Sequence, residues 1–561
     1  MCGIWAYIQM YKNDNKLKKI LNDFWNLKRR GPDNSILQTF GNVLVGFHRL
    51  SIMDLSFNSN QPYIFQDGVK TIVFICNGEI YNFKELIHDH NLDVDDNSDC
   101  MVIPKLYLKY DNDICKFKNL FIDEIKGEFS FLLFEFDNLK NMRKLLVGRD
   151  QIGIRPLYCN KNFENKDFLF SSEIKSMKKY EQDVMEFPPG EIYHFIFDEF
   201  GNKSLHKNDF KTIYKVVPIL PRDNLEKYLL NNLRNAVINS VRRRLSADRP
   251  IAFLLSGGVD SSLVCAIASK ILKIPIKTFC CGMKGGTDLE YAKLVADHIE
   301  SNHTEVYFSA EDGLGAIPQV INAIESWDTT TVRASVGQFL VSKHIGTKTD
   351  CKVVLVGEGP DEVCSSYMFN WNAPNGEELH ETALEYVKNI HYFDCKRSDR
   401  CISYWGLEGR VPLLDPEVIK AYWLIPKEWR HPKYKGIEKW WLRQAFADMN
   451  ILPNEVLWRK KEAFSDGVSS KEESWYSIIQ DSLNEFSAGK VDLDKLDSPS
   501  LEAFYYKELF IDLFGKNRLD IIPHYWQPKW CGSKDKYIDP SARVLDVYNN
   551  SDENQNNNIE V

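Results

Sequence analysis

The chain lacks any apolar run approaching the roughly 20 residues needed to cross a bilayer, and its first ten residues carry neither a basic n-region nor an apolar h-region. A membrane span and a secretory leader are therefore not expected, and the cytoplasm is the expected location. Paired CxxC spacing is missing too. The 13 cysteines are scattered, with Cys280 and Cys281 adjacent, which points to reduced thiols rather than a disulfide frame or a zinc site. There is no excess of positive charge: 70 basic against 79 acidic residues leave -9, so no field draws a polyanion and nucleic acid is not an expected partner. No internal repeat is visible. What is present is 44% hydrophobic, 27% charged and 13% aromatic residues, the balance of a globular enzyme. At 561 residues the chain exceeds what one core usually supports, so two domains are expected, with room for a third.

Residues 1 to about 200 read as short apolar runs split by turn signals, at 2–9, 43–48, 71–76, 129–136, 144–148 and 168–171. That pattern predicts an antiparallel α+β domain over 2–200. A polar stretch near 201–211 makes 201–224 the expected linker, and apolar residues at helical spacing over 225–245 end in the basic cluster Arg242-Arg243-Arg244. From 251 onward apolar strands alternate with amphipathic helices: strands at 251–255, 276–281, 305–308 and 353–356, helices at 261–272 and 289–299. Such alternation predicts an α/β domain with a doubly wound parallel sheet over 225–533. Residues 534–561 turn polar and Asn-rich and are expected to be disordered.

Two regions carry chemistry. Ser256-Gly257-Gly258-Val259-Asp260-Ser261-Ser262 places a glycine pair where a buried strand should hand over to a helix. Bare N–H groups, hydroxyls and the positive helix end there suit pyrophosphate, and Asp260 could hold an accompanying Mg2+. It is not a Walker A loop, because the Lys-Ser/Thr pair is missing. A lone Ser-Gly-Gly would be an ordinary capped turn; the seven-residue string is more specific. A second acidic loop, Gly357-Glu358-Gly359-Pro360-Asp361-Glu362, follows the strand at 353–356 and should face the first across the carboxyl ends of the strands, where the two could share magnesium.

Met1-Cys2-Gly3-Ile4 opens directly into a strand. Once Met1 is removed, Cys2 would carry its α-amino group beside its thiol and could use it as a built-in base. A cysteine at position 2 means little alone. Its company is Arg49-Leu-Ser-Ile-Met-Asp54, Asn77-Gly78-Glu79-Ile80-Tyr81-Asn82 and Ser98-Asp99-Cys100, read as loops between strands. Arg49 can clamp an α-carboxylate, Asp99 an α-ammonium, and Asn77 with the Gly78 N–H can form an oxyanion hole, with Glu79 in the same glutamine-binding set.

With Arg30-Gly-Pro-Asp33, these strings resemble the class II (N-terminal nucleophile) glutamine amidotransferases, and the Ser256 loop resembles that of ATP pyrophosphatases. Together they resemble the glutamine-hydrolysing asparagine synthetase family over about residues 1–530, through Gly148-Arg-Asp-Gln-Ile-Gly-Ile-Arg-Pro-Leu-Tyr158, Thr330-Thr-Val-Arg-Ala-Ser335, Tyr392-Phe-Asp-Cys395, Glu408-Gly-Arg-Val-Pro-Leu-Leu-Asp415 and Trp458-Arg-Lys-Lys-Glu-Ala-Phe-Ser-Asp-Gly467. The resemblance implies that Cys2 releases ammonia from glutamine, that ammonia travels through an internal channel, and that ATP and aspartate form β-aspartyl-AMP. It assigns ATP contacts to Leu255, Cys281, Val356 and Gly357, pyrophosphate to 256–262, Mg2+ to Asp260 and Asp361, and intermediate formation with ammonia deprotonation to Glu358. Thr330, Thr331, Arg333 and Lys461 match groups that stabilise the adenylate or leaving phosphates. A homodimer is implied by the resemblance alone. Departures from the family pattern are Pro360 for serine, which removes a backbone donor, Cys364-Ser365-Ser366 where the family commonly ends in Gly, and Arg29 for His. The competing readings are a β-lactam synthetase-like enzyme, against which Cys2 and Glu358 argue, and a catalytically degraded glutamine- or ATP-binding protein, against which the completeness of both sites argues.

Overall fold

A computed structural model describes residues 1–9, 14–94, 98–111, 113–164, 167–199, 202–214, 223–459, 467–469, 473–487, 497–531 and 539. Among the described residues the first half forms twelve strands: β1 (Gly3–Gln9), β2 (Asn34–Phe40), β3 (Val43–Arg49), β4 (Tyr63–Gln66), β5 (Lys70–Ile80), β6 (Gly127–Asp137), β7 (Met142–Arg149), β8 (Tyr158–Asn160), β9 (Asp167–Ser171), β10 (Val184–Glu186), β11 (Glu191–Phe197) and β12 (Lys203–Asp209). They make two antiparallel sheets, ordered β10-β8-β9-β1-β3-β2 and β12-β11-β7-β6-β5-β4.

Strand periodicity explains the layering. On β1, Ile4, Ala6 and Ile8 point into the core between the sheets with Val45, Phe47, Val73, Ile75, Leu132 and Phe134. Trp5 and Tyr7 point the other way. On β6, Phe129, Phe131 and Leu133 face helices Phe83–Asp89, Val102–Lys109 and Ile114–Asp123. The central strands of each sheet are thus buried on both faces, which is why β1 and β6 are near-continuously apolar; each such side chain contributes roughly 1.5–3 kcal/mol. The outer face of the first sheet is covered by the second half of the chain. Trp5, Phe24, Leu169 and Met177 share a core with Ile317, Ile321, Val332 and Phe339 of helices Ala310–Ile324 and Thr329–Lys348.

The second half holds β13 (Ile251–Leu254), β14 (Lys277–Gly282), β15 (Asn302–Tyr307), β16 (Val353–Leu355) and β17 (Glu408–Arg410), all parallel in the order β15-β14-β13-β16-β17. The order reverses at β13, between β14 and β16, which fixes where the strand ends open into a crevice. The α+β and α/β expectations both hold. The boundary expectation needs correcting at one point: β12 lies inside the 201–224 segment read as linker. It is an edge strand, largely exposed, so it shows no apolar alternation to read. Helix Leu225–Arg243 follows as expected, burying Leu229, Leu233, Val237 and Val241 at four-residue spacing. All 13 cysteines are free, and no helix among the described residues is long and apolar enough to cross a membrane.

Candidate active sites

Cys2 immediately precedes β1, and the register Gly3↔His48 sets it beside the end of β3. Its Sγ lies 3.7 Å from the Leu50 carbonyl, and its own carbonyl accepts from Arg30 Nε at 2.9 Å. Met1 is buried, its ammonium donating to Leu407 O at 3.1 Å. Burial pushes the Cys2 thiol up to about 11 and the Met1 amine down to about 5. With Met1 in place the thiol is a poor nucleophile, and no amine sits on residue 2 to activate it.

Arg49 ends β3 and donates to Ser56 O at 2.6 Å, to Asn60 Oδ1 at 2.8 Å and to the Asp54 carbonyl. These acceptors are neutral, so the guanidinium keeps its charge for a carboxylate. Asn77, Gly78 and Glu79 do not lie on a loop as their Asn-Gly signal suggested. They sit in β5, paired with Ser130, Phe129 and Glu128 of β6, and β5 packs against β1. Asn77 is fully buried, and neither of its side-chain amide atoms has a hydrogen-bond partner among the described residues. Leaving such groups unmade costs about 1–3 kcal/mol each, which a bound oxyanion and amide would offset. A Cβ on Gly78 would lie 2.2 Å from Glu128 O, so only glycine allows this strand pairing. Asp99 heads the turn Asp99–Met101, its Oδ2 accepting from Ile80 N at 2.6 Å. Burial raises its carboxyl to about 6; burial, Asp99 and Glu408 raise that of Glu79 well above the usual range.

The second site is a cavity of about 160 Å³ at the β13/β16 crevice, lined by Leu255, Ser256, Gly258, Asp260, Ser261, Cys281, Gly357, Glu358 and Asp361 among others. Gly257 adopts φ +74°, and a Cβ there would meet Tyr291 Cβ at 2.5 Å. The hydroxyls of Ser256 and Ser261 are 2.9 Å apart, while the buried Ser262 Oγ has no partner among the described residues. Gly357 lets the two loops touch, since a Cβ would lie 2.6 Å from Ser261 N. Lys439, which sequence reading missed, ties the loops together: its Nζ donates to Asp260 Oδ2 and, at 2.5 Å, to Asp361 Oδ1. Two carboxylates that converge on one cation, with Asp260 Oδ1 unpartnered among the described residues, are a donor set that would fit Mg2+. Glu358 accepts from Gln338 Nε2 at 2.9 Å and Arg397 Nη1 at 3.2 Å; burial raises its carboxyl, opposed by Arg397. Gln338 and Arg397 were also missed, being single residues on the helices Thr329–Lys348 and Asp394–Ser403.

Other predicted residues fall elsewhere. Val356 lies at the end of β16, its N–H donating to Arg410 O at 3.1 Å, with its side chain buried. Thr330 and Thr331 bond Asp328, capping helix Thr329–Lys348. Arg333 is outside the cavity lining, held by Glu502 at 2.6 Å and Asp539 at 3.0 Å. Asp539 falls within the 534–561 segment expected to be disordered; the rest of that segment, 534–538 and 540–561, and Lys461 lie outside the described residues. Pro360 occupies the first turn of helix Pro360–Val363, where a missing N–H costs no helical bond. Arg29 stacks its guanidinium 4.4 Å over the Tyr404 ring. Ser365 takes φ +53°, a left-handed conformation that favours glycine.

One chain thus joins a half built on antiparallel sheets, which carries Cys2, Arg49, Asn77 and Asp99, to a half with a crevice on a parallel sheet, and each half matches a domain model. The glutamine amidotransferase domain model matches residues 1–228, and the asparagine synthase model matches 232–374 and 370–530. Glutamine-hydrolysing asparagine synthetases from Gallus gallus and Homo sapiens are each 36% identical to this chain, and that from Bos taurus 35%, in every case over 98% of this chain and 99% of the relative. The chain belongs to the glutamine-hydrolysing asparagine synthetase family.

Proposed function

We propose that the chain converts L-aspartate, L-glutamine, ATP and water to L-asparagine, L-glutamate, AMP and diphosphate, with the work divided between the two sites described. The observation that carries this reading is the fully buried Asn77 amide, without a partner among the described residues, on a strand that packs against the one Cys2 precedes, set in the same chain as two carboxylate loops that converge on Lys439. Arg49 holds the glutamine α-carboxylate and Asp99 with Glu79 its α-ammonium. After Met1 is removed, the α-amine of Cys2 takes the thiol proton and Sγ attacks the side-chain amide carbon; Asn77 and the Gly78 N–H steady the oxyanion. Ammonia leaves, and water cleaves the thioester to glutamate. In the second site the aspartate β-carboxylate attacks the α-phosphorus of ATP and diphosphate departs into the Ser256–Ser262 loop. Ammonia then attacks the activated carbonyl while Glu358 takes a proton and AMP leaves. Mg2+, when bound, supplies charge neutralisation to the phosphates and would be held by Asp260 and Asp361.

The test supplies aspartate, ATP and Mg2+ with either glutamine or ammonium and measures asparagine, AMP and pyrophosphate. All three are expected with both nitrogen sources; ADP in place of AMP, or no asparagine from either source, overturns the reading. Cys2→Ala should abolish use of glutamine and spare use of ammonium, and loss of both would refute the division of labour.

A further inference from the structure

Arg410 belongs to β17 in the second half, yet its guanidinium reaches the first site. Nη2 lies 3.2 Å from Glu79 Oε2, Nε donates to Glu408 Oε1 at 2.8 Å, and Nη1 donates to the carbonyls of Arg244 at 2.9 Å and Ser246 at 2.6 Å. The side chain is fully buried, so these contacts are little screened by water. Nη2 makes no aligned hydrogen bond, so its link to Glu79 is ionic. The backbone is fixed as well: Arg410 O accepts from Val356 N at 3.1 Å, and Arg410 pairs with Leu355 across the sheet. One residue is therefore bonded to the strand entering the nucleotide crevice and to the residue after the oxyanion glycine.

The groups facing Glu79 are Asp99 and Glu408, which oppose its ionisation, and Arg410 and Arg155, which favour it; the Cys100 thiol lies beside it. Three buried carboxylates this close cannot all ionise without cations. We propose that Arg410 is a positioning residue for glutamine: its guanidinium, 3.2 Å from Glu79 Oε2, favours the carboxylate form of Glu79 and so completes, from the synthetase half, the α-ammonium subsite whose other wall is Asp99. This rests on the proposed roles of Glu79 and Asp99. It makes the glutamine site a joint product of both halves rather than a property of the first domain.

The experiment measures kcat/KM for glutamine hydrolysis by the full chain as a function of pH in the wild type, R410Q, R410K, E79Q and E79Q/R410Q. Removing the positive charge raises the Glu79 pKa, protonates it over a wider range and weakens ammonium binding. For R410Q the acidic limb should move up by about one pH unit and KM at neutral pH should rise about tenfold, with kcat nearly unchanged. R410K, which keeps a less well-placed charge, should fall between the two. In the E79Q background R410Q should add no further shift. An unchanged limb and KM in R410Q overturn the inference, as does an equal shift in the E79Q background, which marks a merely structural role. Should R410Q fail to fold, a wild-type profile for R410K overturns it. A wild-type chain that hydrolyses no glutamine refutes the reading of the first site, whereas normal hydrolysis with an unaltered R410Q profile refutes only the role of Arg410.

Discussion

The two sites treat charge in opposite ways. In the first, hydrogen-bonding capacity is left open: the Asn77 amide has no partner among the described residues and Arg49 rests on neutral oxygens. In the second, the carboxylates are already paired within the protein, Asp260 and Asp361 on Lys439 and Glu358 on Arg397 and Gln338. The difference follows from the ligands each site is built for. A small zwitterion brings one charge of each sign and a carbonyl that becomes an oxyanion, so it needs complementary groups held ready. A polyphosphate brings a large negative charge, and two carboxylates facing it need a cation between them at all times. An open site spends stability on unmade bonds; a closed one must rearrange its pairs.

That contrast can be broken from either side. The largest effect is expected at the paired site: K439Q leaves two half-buried carboxylates without their shared cation, which should lower stability by about 1–3 kcal/mol. Asparagine formation from glutamine and from ammonium should both collapse, while glutamine hydrolysis persists; chemical denaturation and the two synthesis assays report each part. At the open site, N77A removes an oxyanion donor and should cut kcat for glutamine hydrolysis about 100- to 1000-fold. Ammonium-dependent synthesis should stay unchanged, and fold stability should hold or rise slightly, because an unsatisfied amide is lost.

A smaller effect concerns pH. Asp99, raised to about 6, must be ionised to hold an ammonium, so glutamine hydrolysis should fall as pH drops through about 6. Ammonium-dependent synthesis, which does not use Asp99, should not share that limb. The stability sign is the reverse. A carboxyl whose folded pKa lies above its unfolded value binds protons preferentially in the native state, so this group makes the fold more stable as pH falls from neutral through about 6 toward the usual carboxylate range. Denaturation midpoints compared at the two ends of that window test it. The smallest expected effect is that of S365G, which relieves a left-handed φ and should raise stability by about 1 kcal/mol without changing kcat.

Much of the first site was legible because its residues come in short strings with a local mechanism: a cysteine at position 2, Asn-Gly-Glu, and an aspartate beside Ser98. The Asn-Gly pair was nonetheless misplaced on a loop, since that dipeptide ordinarily turns the chain; here Gly78 serves close strand packing instead. In the second site the Gly-Gly loop was readable, but Lys439, Arg397 and Gln338 were not. None sits in a motif, and lone charged or polar residues on helices and turns are usually solvated. The legible signal was indirect, in that two facing carboxylate loops require a cation. Arg333 shows the converse: the Thr-Thr-Val-Arg string matches its family, yet the side chain is committed to Glu502 and Asp539.

By itself the sequence determined the layers and the glycine-rich turn at the mouth of the crevice, because a two- or 3.6-residue apolar period and a glycine-rich turn are written within a few residues of where they act. Only the tertiary structure decided which charges meet. Arg30 finds Asp399 across 369 positions and Arg410 finds Glu79 across the boundary between the halves. Such pairs depend on burial and on distances of a few ångströms, which are set when distant elements pack and have no counterpart in local spacing.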